Sequence, residues 1–440
     1  MSFPENYWLI SSGIFMVALV FLVIALRYRQ KKYLVDNLPT SKVQGVFVGL
    51  VEVKGTAEAE KPLRSYLADE SVVHYQWRVQ EHWRKRERET YRDSKGKTKT
   101  RTRTRSGWKT VASDEERIPF YLRDDTGILR ILPDGAKVEP KTLFDQTCRR
   151  KDPLYYQKGP RRAVANSTHK RRFIEEAVPL HQSLYVVGKA REREDMVAPE
   201  IAHDPDARLF LISTRTASQV SRGYALAAWA LALVAFLLIV GGQWFLWNEH
   251  PAMVEKMRPY SFLFGSAFLV GWFLGWIWIA YNSLVDLRQR MKRAWSLVEI
   301  QLKRRSDLIP QIVSIVKGLK DHEKTLQSEL AELRTQSAAT EPGAEGPDPA
   351  GVKPCLLAIR EAYPSLKSDE TFLQLQQQLS ETEQRIALAR SYFNEVCTFF
   401  NTRLEVIPDR FIAKLGTFSP HPLIVAENFE RASVQVDLAP

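Results

Sequence analysis

The side chains in this sequence best suited to chemistry are its three cysteines and eight histidines. Such groups ligate metals or, beside a base, act as nucleophiles. Cys148, Cys355 and Cys397 lie far apart, and no two have the spacing of a zinc ligand pair. His74, His82, His169, His181, His203, His250, His322 and His421 form no ligand-like pair on a helix face. His322-Glu323 follows a helical stripe without a second ligand, so it reads as solvated. No phosphate-binding loop, nucleophile elbow or HExxH pattern occurs. The expectation is therefore no catalytic residue, no cofactor and no metal. An odd, scattered set of cysteines does not make a disulfide framework and points to a reducing compartment. Asn166-Ser167-Thr168 matches a glycosylation acceptor, which a cytoplasmic domain would leave unused.

The second kind of chemistry is polyanion binding. The chain carries a net charge of +12, and its cations are clustered. The run Arg84 to Gly107, "RKRERETYRDSKGKTKTRTRTRSG", holds eleven Lys or Arg against three acids. Arg84, Lys85, Arg86, Arg101, Arg103 and Arg105 are its candidate contacts. A run this cationic repels itself and is expected as an extended hairpin tip. A solvated loop is the plain reading. An anionic lipid or acidic partner comes next, and nucleic acid, with Tyr91 or Trp108 stacking, ranks behind that. Two further clusters, Arg27, Arg29, Lys31, Lys32 and Arg288, Arg290, Lys292, Arg293, flank apolar windows where anionic headgroups would lie. Lys303 to Arg305 fall beyond a Debye length of about 8 Å from such a surface and are expected to be solvated or partner-facing.

Those clusters imply the elements that hold them. Residues 7–26 hold no charge, enough for a hydrocarbon core of about 30 Å. No Lys or Arg precedes this window and four follow it, which is the pattern of an anchor and not of a cleaved signal. Residues 223–247 and 260–281 read as a helical hairpin with aromatic ends. Gly271 and Gly275 form a GxxxG that could pack a helix. Lys256 and Arg258 are the only cations of the loop between those spans, whereas the other flanks are rich in them. The expected topology puts the N-terminus outside and residues 27–222 and 282–440 in the cytoplasm.

After the third window, Leu284, Leu287, Met291, Trp295, Val298 and Leu302 recur at steps of three and four. No Pro or Gly interrupts 276–309, so span and amphipathic segment are expected as one rod, kinked or restarted at Pro310. A second stripe runs from Phe372 to Leu404, and the two must bury each other in an antiparallel bundle over 282–420. Residues 335–354 read as a mobile linker, and 421–440 as a tail. Residues 41–222 alternate as strands, including "VQGVFVGLVEVKG", "VVHYQWRVQEHW" and "IPFYLRDDTGILRIL", and suggest a partly closed barrel. The fold class is thus an α+β membrane protein with three transmembrane helices, a β-rich domain and a helical bundle with a coiled-coil-like seam.

Two stretches carry resemblances. "YNSLVDLRQRMKRAWSLVEIQLKRRSDLIPQIVSIVKG" and "EAYPSLKSDETFLQLQQQLSETEQRIALARSYFNEVCTFFNTRLEVIP" are similar to the LemA family over about 282–420. "VQGVFVGLVEVKG…HYQWRVQEHW", "VPLHQSLYVVGKARE" and "RLFLISTRTASQVSRGYALAAWALAL" resemble the GIDE domain of MULAN-type mitochondrial ubiquitin ligases over about 41–245. Those ligases end in a zinc-binding RING, for which this sequence lacks the ligand spacing. The LemA resemblance implies a bacterial inner-membrane helical protein and brings no catalytic residue. The ligase arrangement would put the GIDE-like domain across the membrane from the charge-based placement. The function expected is a non-enzymatic, homo-oligomeric membrane scaffold or adaptor that presents both modules to a protein partner. The alternatives are an accessory subunit of an envelope protease or stress system, or binding of nucleic acid or anionic lipid by the arm.

Overall fold

The computed structural model describes residues 7–92, 98–193, 195, 198–249, 254–319 and 370–424. It divides into two units, residues 40–216 and residues 1–39 with 217–440. The expected linker 335–354, Cys355, His250, His322 and most of the tail lie outside the described residues.

In the first unit, β2 (Gly49–Glu58), β6 (Phe120–Arg123), β7 (Ile128–Ile131), β12 (Pro199–Ala202) and β11 (Ser183–Glu192) pair in that order. Because β11 also pairs with β2, the five strands close into a ring. Alternation aims Val51, Val53, Leu122, Leu129, Ile131, Leu184, Val186 and Ile201 into one core. Gly55 permits the closure: a Cβ there would sit 2.4 Å from the Arg123 carbonyl oxygen. Short strands β1 (Thr40–Ser41), β8 (Lys137–Glu139) and β13 (Leu211–Ser213) extend this sheet. The strand expected to begin at Val43 begins at Gly49, because Val43–Gly45 forms a 3₁₀ turn whose valine caps the core instead.

A second, antiparallel sheet is built on β4 (Ser71–Arg92). It pairs with β3 (Leu63–Arg64) and β5 (Thr98–Arg117) on one edge and β10 (Ser167–Pro179) on the other. Beyond β10 lies β9 (Lys141–Arg149), followed by the helical turn α2 (Leu154–Gln157). Sequence reading missed β10 because it carries Arg171 and Glu175 where a core strand carries Val or Ile, and β9 because only Cys148 of its residues is buried. Arg171 and Glu81 are almost fully buried and pair at 3.1 Å, with the Tyr155 ring 3.9 Å from the guanidinium. Arg171 also donates to the Tyr155, Pro160 and Arg162 carbonyls, so its donors are satisfied without water. Burial alone would raise the Glu81 pKa, but hydrogen bonds from Ser167, Tyr155 and Arg171 hold it below the usual carboxylate range.

The second unit is helical. α1 (Tyr7–Asp36), α3 (Ala217–Glu249) and α4 (Val254–Leu319) are each long and apolar enough to cross a membrane. Ala18, Leu22, Ala235, Ile239 and Phe268 form their common core. Gln243 ties all three: its side-chain oxygen accepts from Ser261 at 2.7 Å and from Ser11 at 3.4 Å. The expected rod is present, since α4 runs through Asn282 without interruption for 66 residues. At 1.5 Å per residue its length is about 100 Å. Pro310 does not end it. A proline inside a helix costs roughly 3 kcal/mol, and the buried Leu308, Ile309 and Ile312 around it offset that by packing.

α5 (Glu370–Glu405) lies antiparallel to α4, as three contacts show: Leu284 shares a cluster with Leu404, Trp295 meets Phe393, and Arg305 meets Glu383. The short α6 (Asp409–Leu415) closes the end of this pair. The seam buries Leu284, Leu287, Met291, Val298 and Leu302 against Phe372, Leu379, Ile386, Phe393 and Phe400. Arg305 corrects the reading of "QLKRR" as a solvated cluster. Lys303 and Arg304 are exposed, but Arg305 lies three residues after Leu302 on the buried stripe and is 1% exposed.

Candidate functional site

Two arrangements of polar side chains stand out, one in each unit. The first is the basic arm. β10 leaves β4 at Trp83, and from Arg84 to Arg92 the described residues pair β4 with β5 alone. Nine residues at 3.3 Å make a free two-stranded ribbon on the order of 30 Å long. The expected loop is therefore a regular ribbon as far as Arg92 and Thr98; its tip, 93–97, lies outside the described residues.

Register sorts its charges. Arg84, Arg86 and Arg88 pair with Ser106, Thr104 and Thr102, and directly opposed residues share a face. One face thus carries arginine and hydroxyl groups and no acid. Lys85 and Glu87 oppose Arg105 and Arg103 on the other face. There Glu87 meets Lys85 at 3.0 Å and Arg105 at 3.6 Å, and these cations hold its carboxyl below the usual range. His82 and Trp108 continue the acid-free face toward the sheet; their rings meet edge-on, and Lys170 lies 5.7 Å from the Trp108 ring. Arg84, Arg86, Arg88 and Trp108 are all exposed. The sequence run counts charges but does not reveal this division; strand alternation does.

The second arrangement is a buried polar knot where α1, α4, α5 and α6 meet. The Asn37 amide donates to Ser283 Oγ at 2.7 Å. Arg403 Nη1 donates to Asn37 Oδ1 and to Ser283 Oγ, each at 3.1 Å, and its Nε donates to Asp409. The Tyr33 ring lies 4.6 Å from the guanidinium. Asn37, Ser283 and Asp409 are buried. Earlier on α5, two asparagines hold an extended segment. Asn394 exchanges two hydrogen bonds with the Ile424 backbone, and Asn401 exchanges two with His421. The "YFNEV" and "FNTRLE" motifs supply all three side chains, which gives their polar residues a structural job that periodicity does not foresee.

The remaining candidates are distributed differently. Arg27 and Lys31 are exposed on α1, whereas Arg29 and Lys32 are half-buried. Lys32 pairs with Asp36. On α4, Lys292 and Arg293 are exposed; Arg288 lies over the Phe418 ring at 5.0 Å, and Arg290 is half-buried. The two glycines also differ. A Cβ at Gly275 would stand 2.5 Å from Leu26 of α1, while Gly271 faces open space.

Cys148 and Cys397 are buried, and burial pushes their thiols up to about 11 and about 12. Both are therefore held as thiols near neutral pH. Among the described residues no group of three or more His, Cys, Asp or Glu stands together as a metal site. His74 Nε2 lies 3.1 Å from Glu115, His82 Nδ1 lies 2.9 Å from Thr168 Oγ1, and His181 meets Glu58.

Comparison with known proteins matches two separate parts of the chain. Residues 294–438 match the LemA family, and residues 86–246 match the GIDE family, described as E3 Ubiquitin ligase. The chain therefore fuses a LemA-type region to a GIDE-type region. Similar curated proteins include the magnetosome proteins MamQ 2 and MamQ 1 of Paramagnetospirillum magneticum. Each is 22% identical over 208 residues, covering 40% of this chain and 76% of the relative. Protein LemA of Metamycoplasma hominis is 23% identical over 160 residues, covering 35% of this chain and 72% of that protein.

Proposed function

We propose that this LemA–GIDE fusion is a non-enzymatic scaffold of the bacterial inner membrane that acts as a homo-oligomer and presents its helical and β-rich regions to protein partners. In this reading α1, α3 and α4 cross the bilayer, the N-terminus lies outside, and both large regions lie in the cytoplasm. The single observation that carries it is the unbroken α4, which joins an apolar span to an amphipathic seam in one helix. A stiff rod transmits position, and the knot at Arg403 fastens the inner end of α1 to the same assembly. The magnetosome proteins among the relatives, named for a compartment, accord with an organising role. The acid-free face of the ribbon adds a contact for anionic phospholipid, because a membrane-tethered domain meets that polyanion first.

Light scattering of the full chain in detergent, with cross-linking in intact cells, tests the scaffold. Oligomers and captured partners are the expected result. A strict monomer that captures nothing overturns the reading.

A further inference from the structure

α1 and α3 pack along most of their length, yet near the end of the apolar segment of α1 they leave a cavity of about 90 Å³. Its walls are small by sequence. Ala225, Ala228 and Ala232 recur on one face of α3 and confront Ala25 of α1. Trp229 and Trp272, whose rings meet at 6.1 Å, bound it on the apolar side. On the polar side stand Arg29, Lys32 and Tyr33. Four alanines leave a hole where leucines would have filled it, and the hole is capped by cations.

The two cations are not equivalent. Lys32 is paired with Asp36, which also accepts from Ser221 of α3. That triad fixes the helix ends on either side of the opening. Arg29 has no carboxylate within ion-pair distance among the described residues. Its guanidinium lies 5.8 Å from the Tyr33 ring and 5.8 Å from the Trp276 ring, which holds it without neutralising it. A planar fork of donors of this kind matches a phosphate.

We propose that this cavity is a binding site for one anionic phospholipid, with the headgroup phosphate on Arg29 and the first carbons of an acyl chain against the alanine wall. The proposal rests on the membrane reading above. Charge favours an anionic lipid over a zwitterionic one, because Asp36, the acid beside the opening, is already engaged by Lys32 and Ser221 and is not free to receive an ammonium. Size decides against a whole acyl chain, so the rest of the lipid lies along the α1–α3 surface. A free phosphate would satisfy Arg29 but leave the apolar wall empty.

The test uses the full chain in mild detergent with fluorescent phosphatidylglycerol or phosphatidylcholine, scored as lipid retained through gel filtration. Wild type is expected to retain phosphatidylglycerol and not phosphatidylcholine. Arg29→Ala should weaken retention by about tenfold or more, since a charge-assisted contact is lost, and Arg29→Lys should recover part of it. Ala228→Leu, which fills the wall and leaves Arg29 intact, should also abolish retention. Soluble glycerol phosphate should not displace the lipid; displacement would reduce the site to a phosphate site and overturn the proposal. Equal retention of both lipids, or no effect of Arg29→Ala in a protein that elutes normally, overturns it too. Alkaline extraction of cell membranes separates the two readings. A chain released by carbonate refutes membrane anchoring itself, whereas a chain that stays but lacks lipid selectivity refutes only the site.

Discussion

Replacing Arg403 by methionine should loosen the junction of α1, α4, α5 and α6. The substitution keeps most of the apolar stem and removes the guanidinium. Four partners lose their contact at once: Asn37, Ser283, Asp409 and the Tyr33 ring. The Asp409 side chain is 7% exposed, so its carboxylate stays buried without a cation. Breaking a buried ion pair costs about 3–5 kcal/mol. Arg403 is itself 14% exposed, and partial screening lowers the expected cost to about 2–4 kcal/mol. Hydrogen exchange by mass spectrometry on the full chain reads this locally. Peptides over α6 and the last turn of α5 should exchange about 30-fold to about 1000-fold faster, while β-rich peptides stay unchanged. Adding Asp409→Asn to Arg403→Met should return part of the loss, because the stranded charge is gone. If the single variant exchanges α6 within threefold of wild type, the knot does not fasten the helices.

Four further outcomes follow. Arg84→Gln, Arg86→Gln and Arg88→Gln together remove the same charge as the corresponding changes at Arg101, Arg103 and Arg105. Binding of nanodisc-embedded protein to anionic vesicles should fall much further for the first set, and equal loss would mean that only total charge matters. His74 is depressed below its ordinary 6.5 mainly by burial, against the opposing pull of Glu115. The unfolded chain therefore binds the extra proton first, so the stability of the β-rich unit should fall as pH drops below about 6.5, and Glu81 should add a further loss below about 4.5. A His74→Gln variant that unfolds with an unchanged profile between pH 5 and 6.5 would rule the first part out. Gly275→Leu should disturb α1–α4 packing by about 1–3 kcal/mol, visible as a lower melting temperature, whereas Gly271→Leu, facing open space, should not. Cys148 and Cys397 should resist thiol reagents until the protein is denatured, whichever side of a membrane they occupy. Sidedness is therefore better read from Thr102→Cys on the exposed ribbon, where labelling of intact cells by an impermeant reagent would place the β-rich unit outside.

The helical half was legible because period and burial coincide. Each apolar residue of the stripe from Leu284 to Leu302 says where the next must fall, and even Arg305 obeys the spacing although its charge disguises it. The β-rich half was legible only where strands alternate with apolar residues. β10 was hidden because its buried positions include Arg171 and Glu175, whose cost is met by partners on other elements, and β9 because only Cys148 of it is buried. The same logic separates the sites. A run of cations is visible in one dimension, but which of them remain free is decided by who stands opposite, and that is a property of register. Glu87 pairs with Lys85 and Arg105 on its own face of the ribbon, while Arg84, Arg86 and Arg88 on the other face have no acid opposite them. Asp36 likewise occupies Lys32 and leaves Arg29 free. In both places a carboxylate two to four residues away selects which cation meets an outside partner, so removing that acid should broaden the contact without strengthening the selected arginine.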